Sequence, residues 1–426
     1  MPRQPMRQVV AASLSGAALE WYDFNLYGIS AGLIFGKLFF PNVAPIFGTL
    51  AALATFGAGF VLRPLGALLF GHYGDRLGRK RMLVATMLII GGATVLIGVL
   101  PDYRSVGVWA PILLVTLRLV QGLGLGGEQA GAALLTVEHA PPDRRGFWGS
   151  LPQTGGPIGY LIAVAVTSLF ALLPDQQFMN WGWRIPFLFS AVLLVVGLLV
   201  RRTIQETPDF RQIRETGERE RMPLVAAVRK YPRTLLIAFG ARIGEAGSSQ
   251  IFQPFAISYL TTTLGYGKGI ALTGVLLYNV VGLLLIPVAG ALSDRIGRKP
   301  IYVVGAALVT LSAFPYFWLL DSHSVGLAWT ATSLASIGSA VCMSGVQGTL
   351  FTEMFGAGVR YSALGIATQA SALLAGFVPA IATSLVVAAD GSWPVALLLA
   401  GVGLVSLVSS MVMSETRVTR REVAVL

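Results

Sequence analysis

The chain reads Gly71-His72-Tyr73-Gly74-Asp75-Arg76-Leu77-Gly78-Arg79-Lys80 between two long apolar runs, and a second copy of this stretch follows about half a chain length later. The second copy is Gly290-Ala291-Leu292-Ser293-Asp294-Arg295-Ile296-Gly297-Arg298-Lys299, and six of the ten positions are identical. A repeat of this length and spacing indicates an internal duplication. Each copy places an acid beside a basic cluster at the end of an apolar run, where one face of a membrane favours Lys and Arg.

The composition is that of an integral membrane protein in contact with the lipid bilayer. Hydrophobic residues make up 54% of the chain and charged residues 12%, and the mean hydropathy is +0.71. A soluble domain carries roughly 25% charged residues. The net charge of +11 does not indicate a nucleic-acid partner, because the bases lie in loops between apolar runs rather than on a soluble basic face.

The residue types that build other kinds of site are scarce. One cysteine and three scattered histidines exclude an intramolecular disulfide and do not have the spacing of a zinc site. No catalytic constellation is present, so we expect no enzyme, no metal and no cofactor apart from a coupling proton.

A membrane span needs about 20 mostly apolar residues, and the chain contains twelve such segments. Spans one to six cover residues 9–36, 46–70, 82–100, 108–137, 146–173 and 184–201. Spans seven to twelve cover residues 234–262, 270–292, 300–320, 325–353, 360–388 and 393–413. With an even number of spans, both termini lie on the same side of the membrane.

The basic residues predict which side that is. Of the 31 Lys and Arg residues, 24 lie in the tails and loops on the side of the termini, and only Lys37, Arg104, Arg184 and Lys268 lie on the opposite side. Since basic loops stay in the cytoplasm, we expect both termini to be cytoplasmic. We call that side the inner side and the opposite side the outer side.

The repeat divides the chain into two similar halves. We predict a six-helix bundle over residues 1–202, a charged cytoplasmic linker with a helix along the membrane surface over 203–233, and a second six-helix bundle with a short tail over 234–426. Other features recur between the halves, since Glu138 with Arg145 is similar to Glu353 with Arg360.

Several stretches of the chain resemble a known family of membrane proteins. They are Glu20-Trp21-Tyr22-Asp23-Phe24, Arg63-Pro64-Leu65-Gly66, Arg118-Leu119-Val120-Gln121-Gly122, Trp181-Gly182-Trp183-Arg184-Ile185-Pro186-Phe187 and Glu206-Thr207-Pro208. With the duplicated motif, they resemble the major facilitator superfamily and, within it, the metabolite:proton symporters of organic acids and zwitterions such as citrate, 2-oxoglutarate, shikimate, proline and betaine. The resemblance implies an all-α membrane protein whose two pseudo-symmetric six-helix bundles form the major facilitator fold.

Seven ionisable side chains lie inside the predicted spans, where each costs roughly 2.5 to 3.5 kcal/mol on insertion scales and normally faces a cavity or another such group. They are Glu20, Asp23, Arg63, Arg118, Glu128, Arg242 and Glu245. The spacing of Glu20, Asp23 and Tyr27 places them on one helical face.

The acids of span one are the candidates for proton exchange. The family resemblance implies that spans one and four line a central cavity. We predict that Asp23, Glu20 or both exchange a proton, that Arg118 biases their pKa, and that Glu128 belongs to the same coupling group. A permanent structural ion pair is the alternative.

Arginines in both halves suit an anionic substrate. A guanidinium group offers a planar fork for a carboxylate, and Arg118 and Arg242 lie on opposite halves. The remaining predicted substrate contacts are polar or aromatic residues of the same bundle: Tyr27, Gln129, Gln153, Glu245, Gln253 and Tyr259. The alternative for Arg242 is a pair with Glu245 that only neutralises itself.

The acids and bases at the inner ends of the spans predict a cytoplasmic gate. Its members are Asp75, Arg76, Arg79, Glu138, Arg145, Asp294, Arg295, Arg298, Glu353 and Arg360. We expect exposed pairs across the two halves, each worth about 0 to 1 kcal/mol, which suits a contact that opens in every cycle. A purely topogenic role for the bases is the alternative.

These observations predict proton-coupled uptake of a small organic anion, such as a mono-, di- or tricarboxylate, by rocking of the halves about a midplane site. We expect a monomer. The alternatives are, in order, a proton symporter of a zwitterion or osmolyte, a sugar porter, a drug/proton antiporter and a non-transporting sensor.

Overall fold

The computed structural model describes residues 6–77, 79–202, 223–355 and 360–417. Nearly all of these residues are helical, which confirms the prediction of an all-α membrane protein. The segment 203–222, which holds most of the predicted linker, lies outside the described residues, and the division at 203 and 233 stays a prediction.

The helices of the first half follow the predicted spans. They are Met6–Ser30 with Ala31–Phe35 and Gly36–Phe39 in span one, Pro45–Val61 and Arg63–Leu77 in span two, Arg79–Gly98 in span three, Trp109–His139 in span four, Arg145–Ser150, Leu151–Thr154 and Gly155–Ala171 in span five, and Arg184–Arg202 in span six. The short helices Tyr103–Val106, Pro142–Arg144, Asp175–Gln177 and Phe178–Gly182 lie between spans.

The short helix Pro223–Lys230 lies in the predicted linker, ahead of the second half. The helices of the second half are Pro232–Gln250, Ile251–Phe255, Ala256–Ser258 and Tyr259–Thr263 in span seven, Lys268–Ile296 in span eight, Arg298–Leu311 and Ala313–Leu320 in span nine, Val325–Ser336, Ile337–Ser344 and Gly345–Glu353 in span ten, Arg360–Gly376 and Val378–Ala389 in span eleven, and Trp393–Val412 in span twelve.

Length and apolar composition alone identify seven of the described helices as long enough to cross a membrane, or nine if each bent pair is one span. The predicted count of twelve is compatible with this result but is not established by it. The same holds for the cytoplasmic position of the termini.

Several spans depart from α-helical geometry within their length. Spans one, seven and ten each contain a π-helical segment, at Ala31–Phe35, Ile251–Phe255 and Ile337–Ser344. Pro254 lies within the second of these and has no N–H group to donate, which favours the wider turn. Such segments are frequent at functional sites.

Spans two and four cross closely because glycines remove side chains at the crossing. A Cβ atom on Gly122 would overlap the carbonyl oxygen of Gly59, and one on Gly126 would overlap that of Arg63. Small residues at such crossings are typical of membrane helices, which gain stability from close packing rather than from the hydrophobic effect.

This crossing gives a stability prediction. We expect Gly122→Ala to lower the melting temperature of the detergent-purified protein, because overpacking of a close contact costs about 1 to 3 kcal/mol. Gly92→Ala is the matched control, since a Cβ atom there has nothing within 4 Å. Equal melting temperatures for the two variants would contradict the packing account.

Candidate functional site

A cavity of about 150 Å³ lies between the two halves. Its walls come from spans one, two and five of the first half and from spans seven, eight, ten and eleven of the second. Sites for drug-sized ligands measure roughly 300 to 1,000 Å³. The cavity therefore fits a small metabolite better than a bulky drug.

The halves touch on both sides of this cavity. On the outer side, a Cβ atom on Gly28 would lie 3.7 Å from Cβ of Pro254. On the inner side, a Cβ atom on Gly290 would lie 2.6 Å from the carbonyl oxygen of Gly146. The first contact joins span one to span seven and the second joins span five to span eight, so the cavity lies between two contact layers.

Arg242 is the cation that lines the cavity, and its partners come from two helices. Its Nη1 pairs with Oε2 of Glu245, one turn along span seven, and donates to Oε1 of Gln347 on span ten at 2.6 Å. Arg242 and Glu245 are each 8% exposed. The ion pair of the alternative interpretation is therefore present, but it does not use the whole guanidinium group.

Three buried polar atoms of cavity-lining residues have no hydrogen-bond partner among the described residues. They are Nε of Arg242, Oε1 of Gln250 and the hydroxyl of Tyr160. Leaving a buried polar group unpaired costs about 1 to 3 kcal/mol, and such groups are rare in folded proteins. The residues that carry these two donors and one acceptor all line one small cavity, and their polar side chains suit a polar ligand.

The two acids of span one face different spaces. Glu20 lines the central cavity and also a crevice of about 20 Å³ between spans one, three and six. Asp23 lines the crevice but not the central cavity. It accepts a hydrogen bond from the hydroxyl of Ser190 on span six. Glu20 therefore stands between Asp23 and the cavity.

The structure places Arg118 away from the cavity, in contrast to the predicted position. It is completely buried, donates to Oε1 of Gln121 at 3.0 Å, and lies 4.9, 4.3 and 4.8 Å from the ring centres of Phe24, Tyr27 and Phe56. Phe24 and Phe56 themselves line the cavity, so their rings separate Arg118 from it. Helical periodicity shows which residues share a face, but not which neighbouring side chains cover that face.

Among the other predicted contacts, Gln153, Glu245 and Gln253 line the cavity together with Arg242 and Glu20. The two tyrosines do not. Tyr27 bonds to the hydroxyl of Thr55 at 2.7 Å, and Tyr259 donates to Asp321 at the outer end of span nine. Direct contact of Tyr27, Tyr259 or Arg118 with a substrate stays a prediction.

Sequence reasoning missed several residues of the site, among them Tyr160 and Gln347, which line the cavity but were not among the predicted contacts. The sequence shows Gln250 only as a further polar residue after Arg242 and Glu245 on span seven. The available signal was a polar side chain within an apolar run, which many residues of the chain share.

The second copy of the duplicated motif forms an inner contact between the halves. Oδ1 and Oδ2 of Asp294 accept hydrogen bonds from the backbone N–H groups of Gly146 and Phe147, at 2.8 and 2.9 Å. These groups belong to the first turn of span five, where the unpaired N–H groups of a helix attract an anion. We call this the Asp294 latch.

The Asp294 latch differs from the predicted gate in two respects. Asp294 pairs with Arg298 of its own half at 2.9 Å, whereas its contact across the halves is to backbone groups rather than to a basic side chain. The gate was also expected to be exposed, but the side chain of Arg298 is only 2% exposed. The backbone partner of Asp294 explains the first difference, because every residue type except proline has a backbone N–H group and the sequence therefore does not show which one Asp294 contacts.

Other predicted gate residues cluster around Arg298. Its Nε lies 3.5 Å from Oε2 of Glu353, which also accepts a hydrogen bond from the hydroxyl of Thr416 at 2.8 Å and interacts electrostatically with Arg145 of the first half. Arg360 donates to the carbonyl of Phe355 at 2.9 Å.

Two further residues complete this region. Arg295 is exposed. Glu415, which is not among the predicted gate residues, accepts hydrogen bonds from the backbone N–H groups of Arg298 and Lys299 at 2.9 and 3.1 Å. Gly297 between the two spans has φ 108°, a conformation that favours glycine.

The remaining predicted site residues cannot be placed. The side chains of Asp75, Arg76, Arg79, Glu128, Gln129 and Glu138 lie outside the part of the chain that the structure describes. Their proposed roles in the gate, in proton coupling and in substrate binding stay predictions.

A helical bundle whose two halves enclose a cavity with several polar lining residues, with contacts on both sides of it, is typical of a membrane transporter. The family model described as the Major Facilitator Superfamily matches residues 14–379. The chain belongs to this superfamily. The predicted identity, and the predicted location as a multi-pass protein of the inner membrane, are thereby confirmed.

Characterised relatives support this assignment. The chain is 43% identical over 417 residues to the shikimate transporter of Escherichia coli strain K12, covering 96% of this chain and 95% of the relative. It is 36% identical over 422 residues to the proline/betaine transporter of the same strain, covering 96% and 84%. These relatives are membrane transporters, so the chain is not an enzyme.

A solved structure has the same fold. The proton:xylose symporter XylE, bound to 6-bromo-6-deoxy-D-glucose, superposes with a TM-score of 0.76 and 19% identity, over 97% of this chain and 96% of that chain. At this identity the likeness concerns the fold. It confirms the predicted major facilitator architecture.

The Asp294 latch gives a prediction about inner access to the cavity. We expect Asp294→Asn to open the inner side, because losing about 1 to 2 kcal/mol of closing energy changes a population ratio by a factor of about 5 to 30. A cysteine introduced at Thr368, a cavity-lining residue of span eleven, should then react faster with an impermeant maleimide in inside-out vesicles. The protein in this assay also carries Cys342→Ser, which removes the native cysteine.

The control for this experiment is Asp143→Asn. Asp143 is an exposed carboxylate in the short helix that precedes span five. If the Asp294→Asn and Asp143→Asn proteins label at the same rate, Asp294 does not hold the inner side closed.

Proposed function

We propose that the protein is a proton-coupled symporter that takes up a small, hydroxylated organic carboxylate by alternating access to the cavity between its halves. The observation that supports this most directly is the set of unpaired buried atoms at Arg242, Tyr160 and Gln250. The similarity to a shikimate transporter agrees with this substrate class, because shikimate is a cyclic carboxylate with several hydroxyl groups.

The unpaired atoms match such a ligand. Nε of Arg242 and the hydroxyl of Tyr160 are donors for the two oxygens of a carboxylate. Oε1 of Gln250 is an acceptor for a substrate hydroxyl. A site built to pair hydroxyl groups discriminates strongly against analogues that lack them, because its own polar atoms are then left unpaired.

The position of Glu20 supports proton coupling. It is a buried carboxylate that borders both the cavity and the crevice of Asp23. Protonation of Glu20 changes the net charge of the cavity by one unit, and Arg242 lines the same space. A monoanion carried with one proton crosses the membrane without net charge, so the pH gradient alone drives it.

The cycle uses the two contact layers in turn. Opening at Gly28 and Pro254 admits the substrate from the outer side, and opening of the Asp294 latch releases it to the inner side. Residues of one chain complete the cavity, so we propose that the protein works as a monomer. The proton is its only proposed coupling partner, and no cofactor is involved.

A second candidate substrate class is favoured by one observation. Glu245 and Glu20 lie in the same cavity as Arg242, and the ring of Trp21 borders it. A zwitterion such as proline or a betaine would place its carboxylate on Arg242 and its cation near a carboxylate or an aromatic face. The similarity to a proline/betaine transporter agrees with this candidate.

Counterflow in proteoliposomes separates these candidates. We expect shikimate and related hydroxylated carboxylates to exchange, and proline, glycine betaine and xylose to compete poorly. Exchange of zwitterions such as proline, with no exchange of hydroxylated carboxylates such as shikimate, would favour the second candidate. Binding without any exchange would indicate a sensor and would overturn the proposal.

The same vesicles test proton coupling. We expect Glu20→Gln and Asp23→Asn to retain exchange but to lose accumulation driven by a pH gradient, because neither side chain then releases a proton. Asp390→Asn, at an exposed carboxylate, should leave both activities unchanged. Full accumulation by both coupling variants would refute the role of these acids.

A further inference from the structure

A second cavity lies on the outer side of the molecule. It measures about 660 Å³ and is lined by the outer ends of spans one, two, seven and eight and by the segment before span six. It shares no lining residue with the central cavity. The contact of Gly28 and Gly32 with Pro254 lies between the two spaces. We call this space the outer vestibule.

The outer vestibule collects positive charge where the chain otherwise has little. Only four basic residues lie in the predicted outer loops, and two of them, Lys37 and Lys268, line this cavity. Arg184, by contrast, donates to the backbone carbonyls of Gly98 and Leu100. Because membrane proteins generally keep bases on the inner side, two lysines in one outer cavity call for a specific explanation.

Neither lysine forms a strong ion pair with the described residues. Lys37 is exposed and has no carboxylate within 4 Å among the described residues. Nζ of Lys268 lies 3.5 Å from Oδ1 of Asp175, whose side chain is 94% exposed. Such a solvent-exposed pair is weak and exchangeable. The lining therefore carries two cations and one anion, and a further anion can compete for Lys268.

The pair also joins the two halves. Asp175 precedes span six of the first half, and Lys268 begins span eight of the second half. The ring of Phe178 lies 5.8 Å from Nζ of Lys268, on the same side of the interface as Asp175. Exchange of Asp175 for another anion therefore removes a tie between the halves at their outer edge.

We propose that the outer vestibule is a capture site for the carboxylate of the incoming substrate, formed by Lys37 and Lys268, and that the substrate displaces Asp175 from Lys268. This inference rests on the proposed transport of an organic anion. Capture raises the local substrate concentration above the closed central cavity. Displacement of Asp175 then loosens the outer contact through which the substrate must pass.

The test is uptake of shikimate from the outer side of intact cells at low and high ionic strength. We expect the Lys37→Gln, Lys268→Gln double variant to raise the KM for uptake by about tenfold at low salt, with Vmax retained, because steering by charge changes encounter rates by at least about that factor. The difference should shrink in about 1 M salt, where charges are screened within about 3 Å. Asp175→Asn should lower the KM, because it frees Lys268.

Two controls separate capture from a structural role. Arg104→Gln removes a base from the same side of the membrane, at a residue that does not line the vestibule, and should leave the KM unchanged. In inside-out vesicles, where substrate enters from the inner side, the double variant should have the KM of the wild type. A misfolded variant would instead be impaired from both sides.

The outcomes distinguish this inference from the proposed function. If the wild type exchanges carboxylates but the double variant takes up shikimate with the KM of Arg104→Gln, the capture site is overturned and the proposed function stands. A KM that rises equally from both sides also overturns the capture site. If the wild type exchanges no carboxylate at all, the proposed function fails and the capture site fails with it.

Discussion

The partial pairing of Arg242 is the interaction on which the central site depends. A charge within a membrane-spanning segment is tolerated only where other groups compensate it. Glu245 and Gln347 compensate one side of the guanidinium, while Nε has no hydrogen-bond partner among the described residues. Arg242 is thereby stable enough to remain charged in the bundle, and its Nε–H group can still donate a hydrogen bond to a ligand. A fully paired arginine would be structural, and an unpaired one would destabilise the fold.

The two halves use their buried arginines differently, although they arose by duplication. In the first half, Arg118 is enclosed by aromatic rings and bonds to Gln121, so it supports the wall of the cavity from behind. In the second half, Arg242 lines the cavity itself. The acids are also divided, with Glu20 in the first half and Glu245 in the second. The groups proposed for proton exchange and for carboxylate binding thus lie on opposite walls of the cavity.

The sequence predicted those parts of the structure that depend on local pattern. Apolar run lengths gave the helices, the duplicated motif gave the two halves, and buried charge drew attention to Glu20 and Arg242. Prediction from the sequence failed where a side chain or backbone group from another helix decides the contacts of a residue. Phe56 on span two separates Arg118 from the cavity, and the partner of Asp294 is a pair of backbone N–H groups, which no residue type encodes.

The most direct test of the account is the affinity of the purified protein for shikimate, measured from the rise in melting temperature with ligand concentration. A carboxylate bound by Arg242 predicts that Arg242→Gln weakens binding by about tenfold or more, since a hydrogen bond to a charged group contributes about 1.5 to 3 kcal/mol. Arg242→Lys should retain part of the affinity, and Arg104→Gln all of it. Unchanged affinity in Arg242→Gln would contradict the central claim that this side chain holds the substrate.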